Sequence, residues 1–394
     1  MTGVLYISYD GMLEPLGQSQ VLAYLERLSA GRTVHLLSFE KPDDWADVAR
    51  RKQVAARIAA GGIQWHPRRY HKRPSALATA YDVMVGTLTA LWLSLRHRLR
   101  LLHARSDVPA LMAWPVQQLT GARFLFDMRA FWADERVDGG LWPRDGRLYR
   151  LAKWFERRFF LAADHLISLT HSGVRELEQL PCLRGRLPAT TVIPTCADLA
   201  RFRILGDRPP GLTLGYVGTV GTWYLFDETV AAFAELIRLR PQARILIVNR
   251  NEHDYIRERL IAGGIPLDAV ELRAADHADM PQQMARMTAS VFFIKPVFSK
   301  QASAPTKLGE LLGCGLPCLS NTGVGDMAEI LLNERVGVAI DAFDASALRQ
   351  GLAQLLELVD DPCIRDRCVA TARKYFSLED GVARYESVYR RLGA

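Results

Sequence analysis

Hydrophobic and polar positions along the chain alternate between two rhythms. Short runs of branched and aromatic residues are separated by longer stretches whose apolar residues fall at helical spacing. Compact apolar runs bounded by turns read as buried strands, and a 3.6-residue period reads as amphipathic helix. Runs at 4–8, 34–38, 101–104, 124–127 and 165–169 predict a first series of strands, and runs at 212–217, 244–248, 270–273, 290–294 and 317–320 a second. Between them lie helical patterns such as 20–28, where Val21, Leu22, Leu25 and Leu28 share one face. Strands alternating with helices predict α/β layers built on parallel sheets.

The alternation restarts near residue 212, after the turn-rich stretch Gly206-Asp207-Arg208-Pro209-Pro210-Gly211. A chain of 394 residues is long enough for two or three domains, at roughly 150 residues each. The expectation is two similar-sized α/β domains with a cleft between them, one over 1–195 and one over 196–376, followed by a terminal segment 377–394. One apolar run, 83–95, carries no charge. It falls short of the ~20 residues that span a bilayer, which predicts a helix that is buried or lies on a membrane.

The chain is 49% hydrophobic and 24% charged, which excludes disordered, collagenous and cystine-rich classes. Its six cysteines form no C-x-x-C pair, so no zinc site is expected. Residues 1–10 read as a strand and lack the regions of an export signal, which predicts a reduced, cytoplasmic setting. Charge alters the picture more. The net value is +7, but residues 1–200 hold 27 Lys and Arg against 19 acids, and 201–394 hold 23 against 24. Within 51–105 there are 11 basic residues and one acid, Asp82. Arg68, Arg69, Lys72 and Arg73 are interleaved there with Trp65, Tyr70 and His71. No nucleic-acid-binding module accompanies them. Basic residues beside apolar and aromatic ones point to an anionic membrane surface or an anionic acceptor, and the bland alternative is a solvated face.

Two loops carry candidate chemistry. The first, Tyr9 to Gln20, runs from a strand's carboxyl end into a helix, where ligands of open parallel sheets collect. Gly17 there lets backbone approach a ligand, and the absence of G-x-G-x-x-G disfavours a nicotinamide dinucleotide. The second is Ser299 to Pro317. Pro305 fits the first turn of a helix whose buried face is Leu308, Leu311 and Leu312. Its N-terminus, with Ser303, Thr306 and Lys307, can cradle a diphosphate. Glu310, three residues after Lys307, lies on nearly the same face and can accept two ribose hydroxyls. Arg250, in the turn Asn249-Arg250-Asn251, is a candidate near a nucleotide base. Asp127 and Arg129 alternate at the end of a predicted strand, so a continuing strand turns both to one side, toward a sugar, an acceptor hydroxyl or a phosphate.

The run Glu310-Leu311-Leu312-Gly313-Cys314-Gly315-Leu316-Pro317-Cys318 resembles the donor-site segment of the retaining GT-B glycosyltransferases of family four, which build bacterial polysaccharides and glycolipids. The stretches 10–20, 193–202 and Gly215-Tyr216-Val217-Gly218-Thr219 resemble that family in the same order. The resemblance implies two facing Rossmann-like domains with parallel sheets and an interdomain cleft. It implies a nucleotide diphosphate sugar on the C-terminal domain, at Gly218, Thr219, Ser303, Thr306, Lys307 and Glu310, with Gly17 and Arg250 as further donor contacts. The acceptor, lipid-linked or polysaccharide, falls to the N-terminal domain, with Asp127 and Arg129 as the catalytic candidates and the last helix returning to brace that domain. No metal and no cofactor are implied, and the chain has no Asp-x-Asp tripeptide. Ala302 stands where the family's first motif glutamate would be. The rivals are a GT-B-fold nucleotide-sugar epimerase and a degenerate, non-catalytic nucleotide-sugar-binding subunit. With the basic stretch, the implied acceptor places the enzyme peripherally on the inner face of the cell membrane, and nucleic acid is not an expected partner.

Overall fold

The computed structural model describes residues 3–73 and 75–394. The chain divides into two units. One runs to Pro194 and takes back Glu379–Ala394, and the other is Thr195–Leu378.

The first unit is built on seven parallel strands: β1 (Gly3–Ser8), β2 (Thr33–Glu40), β3 (Ile63–Arg69), β4 (Leu101–Arg105), β5 (Arg123–Asp127), β6 (His165–Ser168) and β7 (Thr190–Val192). Their order is β3-β2-β1-β4-β5-β6-β7, with Val4 registered between Val34 and Leu101. β1 and β4 are buried along their whole length, as strands covered on both faces must be. Three crossover helices matter below: α1 (Ser75–His97), α2 (Asp107–Thr120) and α3 (Arg147–Ala162). α2 packs on both of the others. The strand order reverses between β1 and β4, where sheets of this kind open a crevice at their carboxyl ends.

Two strands of this sheet escaped the sequence reading. β3 is an edge strand with only Ile63 fully buried and Pro67 within it, so it lacks the apolar run that marks an interior strand. β7 is three half-buried residues at the other edge. The apolar run 83–95 also proves to be part of something longer. It sits in the 23-residue helix α1, which is long and apolar enough to cross a membrane by length and composition. Counting uncharged residues stopped at Asp82, which is 1% exposed and faces inward, so it does not interrupt the helix.

The second unit holds six parallel strands: β8 (Thr213–Val217), β9 (Arg244–Val248), β10 (Val270–Arg273), β11 (Ala289–Val291), β12 (Cys318–Asn321) and β13 (Gly337–Ile340). They run in the order β10-β9-β8-β11-β12-β13, over a core that includes Tyr216, Phe233, Phe292 and Phe293. Here β13 is the strand that the sequence reading missed. The order reverses between β8 and β11. Helix α4 (Thr306–Gly313) connects β11 to β12 and so begins at the carboxyl edge of the sheet, beside that reversal. The last helix, α5 (Leu378–Arg391), rejoins the first unit. Its Tyr385 hydroxyl donates to Asp127 Oδ2 at 2.9 Å, its Tyr389 hydroxyl meets His103 Nδ1 at 2.7 Å, and its Glu386 takes a two-pronged pair from Arg32 at 2.6 Å.

Candidate functional site

At the strand reversal of the second unit, the backbone turns out of β8 through Gly218 with φ +109°, a conformation that L side chains rarely adopt. A Cβ built there would stand 3.0 Å from Lys307 Nζ. Lys307 reaches this point from the first turn of α4 and donates to the Val217 carbonyl at 2.6 Å. Its ammonium lies 3.7 Å from the centre of the Tyr224 ring, with Tyr216 and Phe292 at 5.1 and 5.3 Å. Burial in this aromatic pocket pushes the ammonium down to about 7, against the pull of Glu310. The same burial, with Glu310 nearby, pushes the Tyr224 hydroxyl up to about 12.

α4 begins at Thr306 behind an extended Pro305, so the proline caps the helix from outside rather than occupying its first turn. Among the described residues no side chain caps its N-terminus. Its first amides therefore offer donors to an anion near the Lys307 ammonium. Thr306 and Ser303 are half-buried at this end, and the Ser303 amide donates to the Lys300 carbonyl at 3.1 Å. Lys300 is 6% exposed, with its ammonium 3.8 Å above the Trp223 ring. Ala302 is completely buried at the end of a short 3-10 turn, Phe298–Ala302.

One turn into α4, Glu310 Oε1 lies 3.3 Å from His277 Nε2, and His277 Nδ1 lies 3.0 Å from Arg201 Nη1. Arginine can only donate, so His277 accepts at Nδ1 and carries its proton at Nε2, toward the carboxylate. Thr219 contributes its carbonyl, which accepts from the Tyr216 hydroxyl at 2.5 Å. The loop is tied from β9: Asn249 Nδ2 donates to the Gly218 carbonyl at 3.0 Å, and Glu252 Oε2 accepts from the Val220 amide at 3.1 Å. Arg250 stands exposed on the turn between those two residues.

The structure therefore gathers Gly218, Thr219, Lys307 and Glu310 around one corner of the sheet, with Ser303 and Thr306 at the adjoining helix end. Asn249, from the turn already singled out, completes it with Tyr224, His277, Arg201 and Glu252, which were not among the candidates. Arg201 lay within the recognised stretch 193–202. Tyr224 follows the recognised stretch Gly215–Thr219 closely, whereas His277 sits far from any motif and reaches the site only through folding.

In the first unit, Gly17 is buried and follows the loop after β1. A Cβ on it would come within 2.0 Å of the Gly11 carbonyl oxygen, so the missing side chain serves the packing of this loop on itself. Glu40 holds the same loop by accepting from the Met12 and Leu13 amides at 2.9 and 3.1 Å. Asp127 and Arg129 are indeed paired, at 3.3 Å. The Asp127 carboxylate is 1% exposed and also meets His103 Nε2 at 3.4 Å and the Tyr385 hydroxyl. Burial alone would raise its pKa, yet the Arg129 guanidinium and His103 hold the carboxyl well below the usual range. This geometry corrects the expectation of a catalytic Asp127 presented to a sugar: the carboxylate is enclosed by its own protein partners and anchors α5.

Residues 211–358 match the family model described as glycosyl transferases group 1. A Corynebacterium glutamicum GDP-mannose-dependent monoacylated alpha-(1-6)-phosphatidylinositol monomannoside mannosyltransferase is 23% identical over 228 residues. That match covers 54% of this chain and 58% of the relative, so the chain spans little more than half the length of this curated relative. The sucrose-phosphate synthase of Thermosynechococcus elongatus has a similar fold, with TM-score 0.75 and 16% identity, over 100% of this chain and 99% of that one. Anabaena HepE in complex with UDP and glucose follows, with TM-score 0.69 and 14% identity, over 99% and 100%. Residues 211–358 thus match the glycosyl transferases group 1 family model, and the two parallel-sheet units have the GT-B fold.

Proposed function

We propose that the protein is a retaining, metal-independent glycosyltransferase that moves a hexosyl group from a nucleotide diphosphate sugar to a lipid-linked or polysaccharide acceptor. The observation that carries this reading is Lys307, a buried ammonium set against Gly218 at the start of α4. Breaking a sugar–diphosphate bond needs the leaving phosphate neutralised in a site organised beforehand. The Lys307 ammonium and the first amides of α4 supply that field, and a phosphate drawn in would restore the charge that burial disfavours on Lys307. Glu310, held by His277, takes the ribose hydroxyls. With a departing phosphate able to accept the acceptor's proton on the same face of the sugar, no dedicated base is required, which accords with the enclosure of Asp127. Arg250 and Thr219 border the donor.

The acceptor side belongs to the first unit. Its basic stretch, and the lipid acceptor named for the C. glutamicum relative, support a lipid-linked acceptor and work at the cytoplasmic membrane face. The UDP held by Anabaena HepE supports UDP-sugars among the donors to try first. The experiment is calorimetry with UDP and GDP, then transfer or donor hydrolysis with the corresponding sugars. Binding that disappears in Lys307→Met supports the reading. A variant that binds UDP and GDP as the unaltered chain does would overturn it, and an epimer formed from the donor alone would assign the fold's epimerase chemistry instead.

A further inference from the structure

Helix α1 is amphipathic with its faces reversed. The side turned into the protein is small or polar apart from Leu93: Ala78, Asp82, Gly86, Ala90 and Ser94, four residues apart, are all buried, as is Thr89. Gly86 lets the helix approach α2 so closely that a Cβ there would meet Met112 Sδ at 2.3 Å. The side turned outward carries Leu77, Tyr81, Met84, Leu88, Trp92 and Leu95, at spacings of three and four, each between 50% and 72% exposed. A helix of a water-bathed surface has the opposite arrangement. Scattered exposed apolar residues are ordinary, but a continuous stripe of six large ones marks a surface that something covers.

The rotation of the helix is fixed rather than incidental. Asp82 accepts from the Tyr9 hydroxyl at 2.8 Å and the His71 amide at 3.0 Å, and meets His71 Nδ1 at 2.6 Å. Turning the stripe inward would break these bonds and strand a buried carboxylate. Exposed basic residues stand at both ends, Lys72 and Arg73 before the helix and Arg96, Arg98 and Arg100 at and beyond its last turn. α3, on the other flank of α2, adds exposed Leu148, Leu151 and Trp154, with the Arg158 guanidinium 4.8 Å over the Trp154 ring.

We propose that this face docks the protein on an anionic lipid bilayer, with the axis of α1 in the plane of the membrane interface. Apolar side chains enter the acyl boundary while basic residues at both ends meet lipid phosphates. A spanning orientation would place the two basic ends on opposite sides and strip α1 from α2. A second copy of the chain fits less well, because laying two such stripes side by side, parallel or antiparallel, sets basic ends against basic ends. The inference deepens the membrane part of the function proposed above and is independent of the donor site.

The test is flotation of the full chain with vesicles of phosphatidylcholine alone or mixed with phosphatidylglycerol. Binding to the mixed vesicles, weakened by salt and reversed by alkaline carbonate, is the expected result. The double variant Leu88→Ser/Trp92→Ser should lose about tenfold in partitioning, since binding scales with buried apolar area. Leu332→Ser, an exposed apolar site in the second unit, should change nothing. Nucleotide affinity of the double variant should equal that of the unaltered chain, which separates failure of docking from failure of the transferase reading. Should the double variant not fold, Lys72→Gln/Arg73→Gln/Arg96→Gln tests the same face through its charge. Equal flotation on neutral and anionic vesicles, resistance to carbonate, or a lipid-free dimer that the double variant dissociates would each overturn the proposal.

Discussion

An ammonium enclosed by three aromatic rings is a poor cation until an anion arrives. For Lys307 this fixes a pH signature. Its pKa falls from the ordinary 10.5 to about 7 on folding, so between these values the unfolded chain holds a proton that the native chain has released. Stability from this residue is complete above pH 10.5, declines as pH falls toward 7, and changes no further below; Lys307→Met should remove that slope from the pH dependence of the unfolding free energy. A diphosphate restores the charge, so nucleotide binding at pH 8 should take up a proton, seen as a binding heat that varies with the buffer's ionisation heat. Glu310→Gln should weaken nucleotide binding by roughly 1–3 kcal/mol, the scale of a hydrogen bond to a charged group. Unchanged affinity in calorimetry would remove Glu310 from the ribose. The Lys307–Glu310 pair was legible in the sequence because the two residues are three apart on one helix. Their partners Tyr224 and His277 were not, because contacts between distant segments leave no local pattern.

At the scale of elements, α5 is held to the first sheet by buried polar contacts rather than by apolar ones alone. Tyr385→Phe removes a donor from a buried, charged Asp127 and should cost about 1.5–3 kcal/mol in denaturant unfolding. Asp127→Asn leaves Arg129 without its anion and should cost more, about 3–5 kcal/mol. A catalytic Asp127 would behave differently, losing turnover while the unfolding midpoint stayed put. The loop after β1 makes a parallel case. Gly17→Ala would drive a methyl group into the Gly11 carbonyl, so a lowered melting temperature should accompany any loss of activity. Strand existence was readable wherever a strand is interior and apolar, as in β1, β4 and β9. The polar edge β3 and the three-residue β7 were not, because they bury too little to impose a pattern on their residues, and β13, though mostly buried, is a run of four that opens on a glycine.

For the whole molecule, the proposed chemistry draws its positive charge from the protein. Nucleotide affinity and transfer rate should therefore survive exhaustive chelation with EDTA, and a rate restored only by added divalent metal would reject that mechanism. The sequence by itself determined the fold class: alternation of strand and helix, restarting near residue 212, dictates two parallel-sheet units, since only stacked α/β layers bury such runs. It placed Lys307 and Glu310 together as well, because their spacing is local to one helix. The tertiary structure alone decided how Asp127 is used, for the strand pattern places the carboxylate at a strand's carboxyl end but says nothing of Tyr385, 258 residues away, closing over it. It also decided which way α1 faces. Periodicity shows that apolar residues share a stripe, and burial in the core is the ordinary destination of such a stripe. Only the bonds that Asp82 makes to Tyr9 and His71 reveal that this helix is turned the other way, with its polar side inward and its large apolar residues toward the outside.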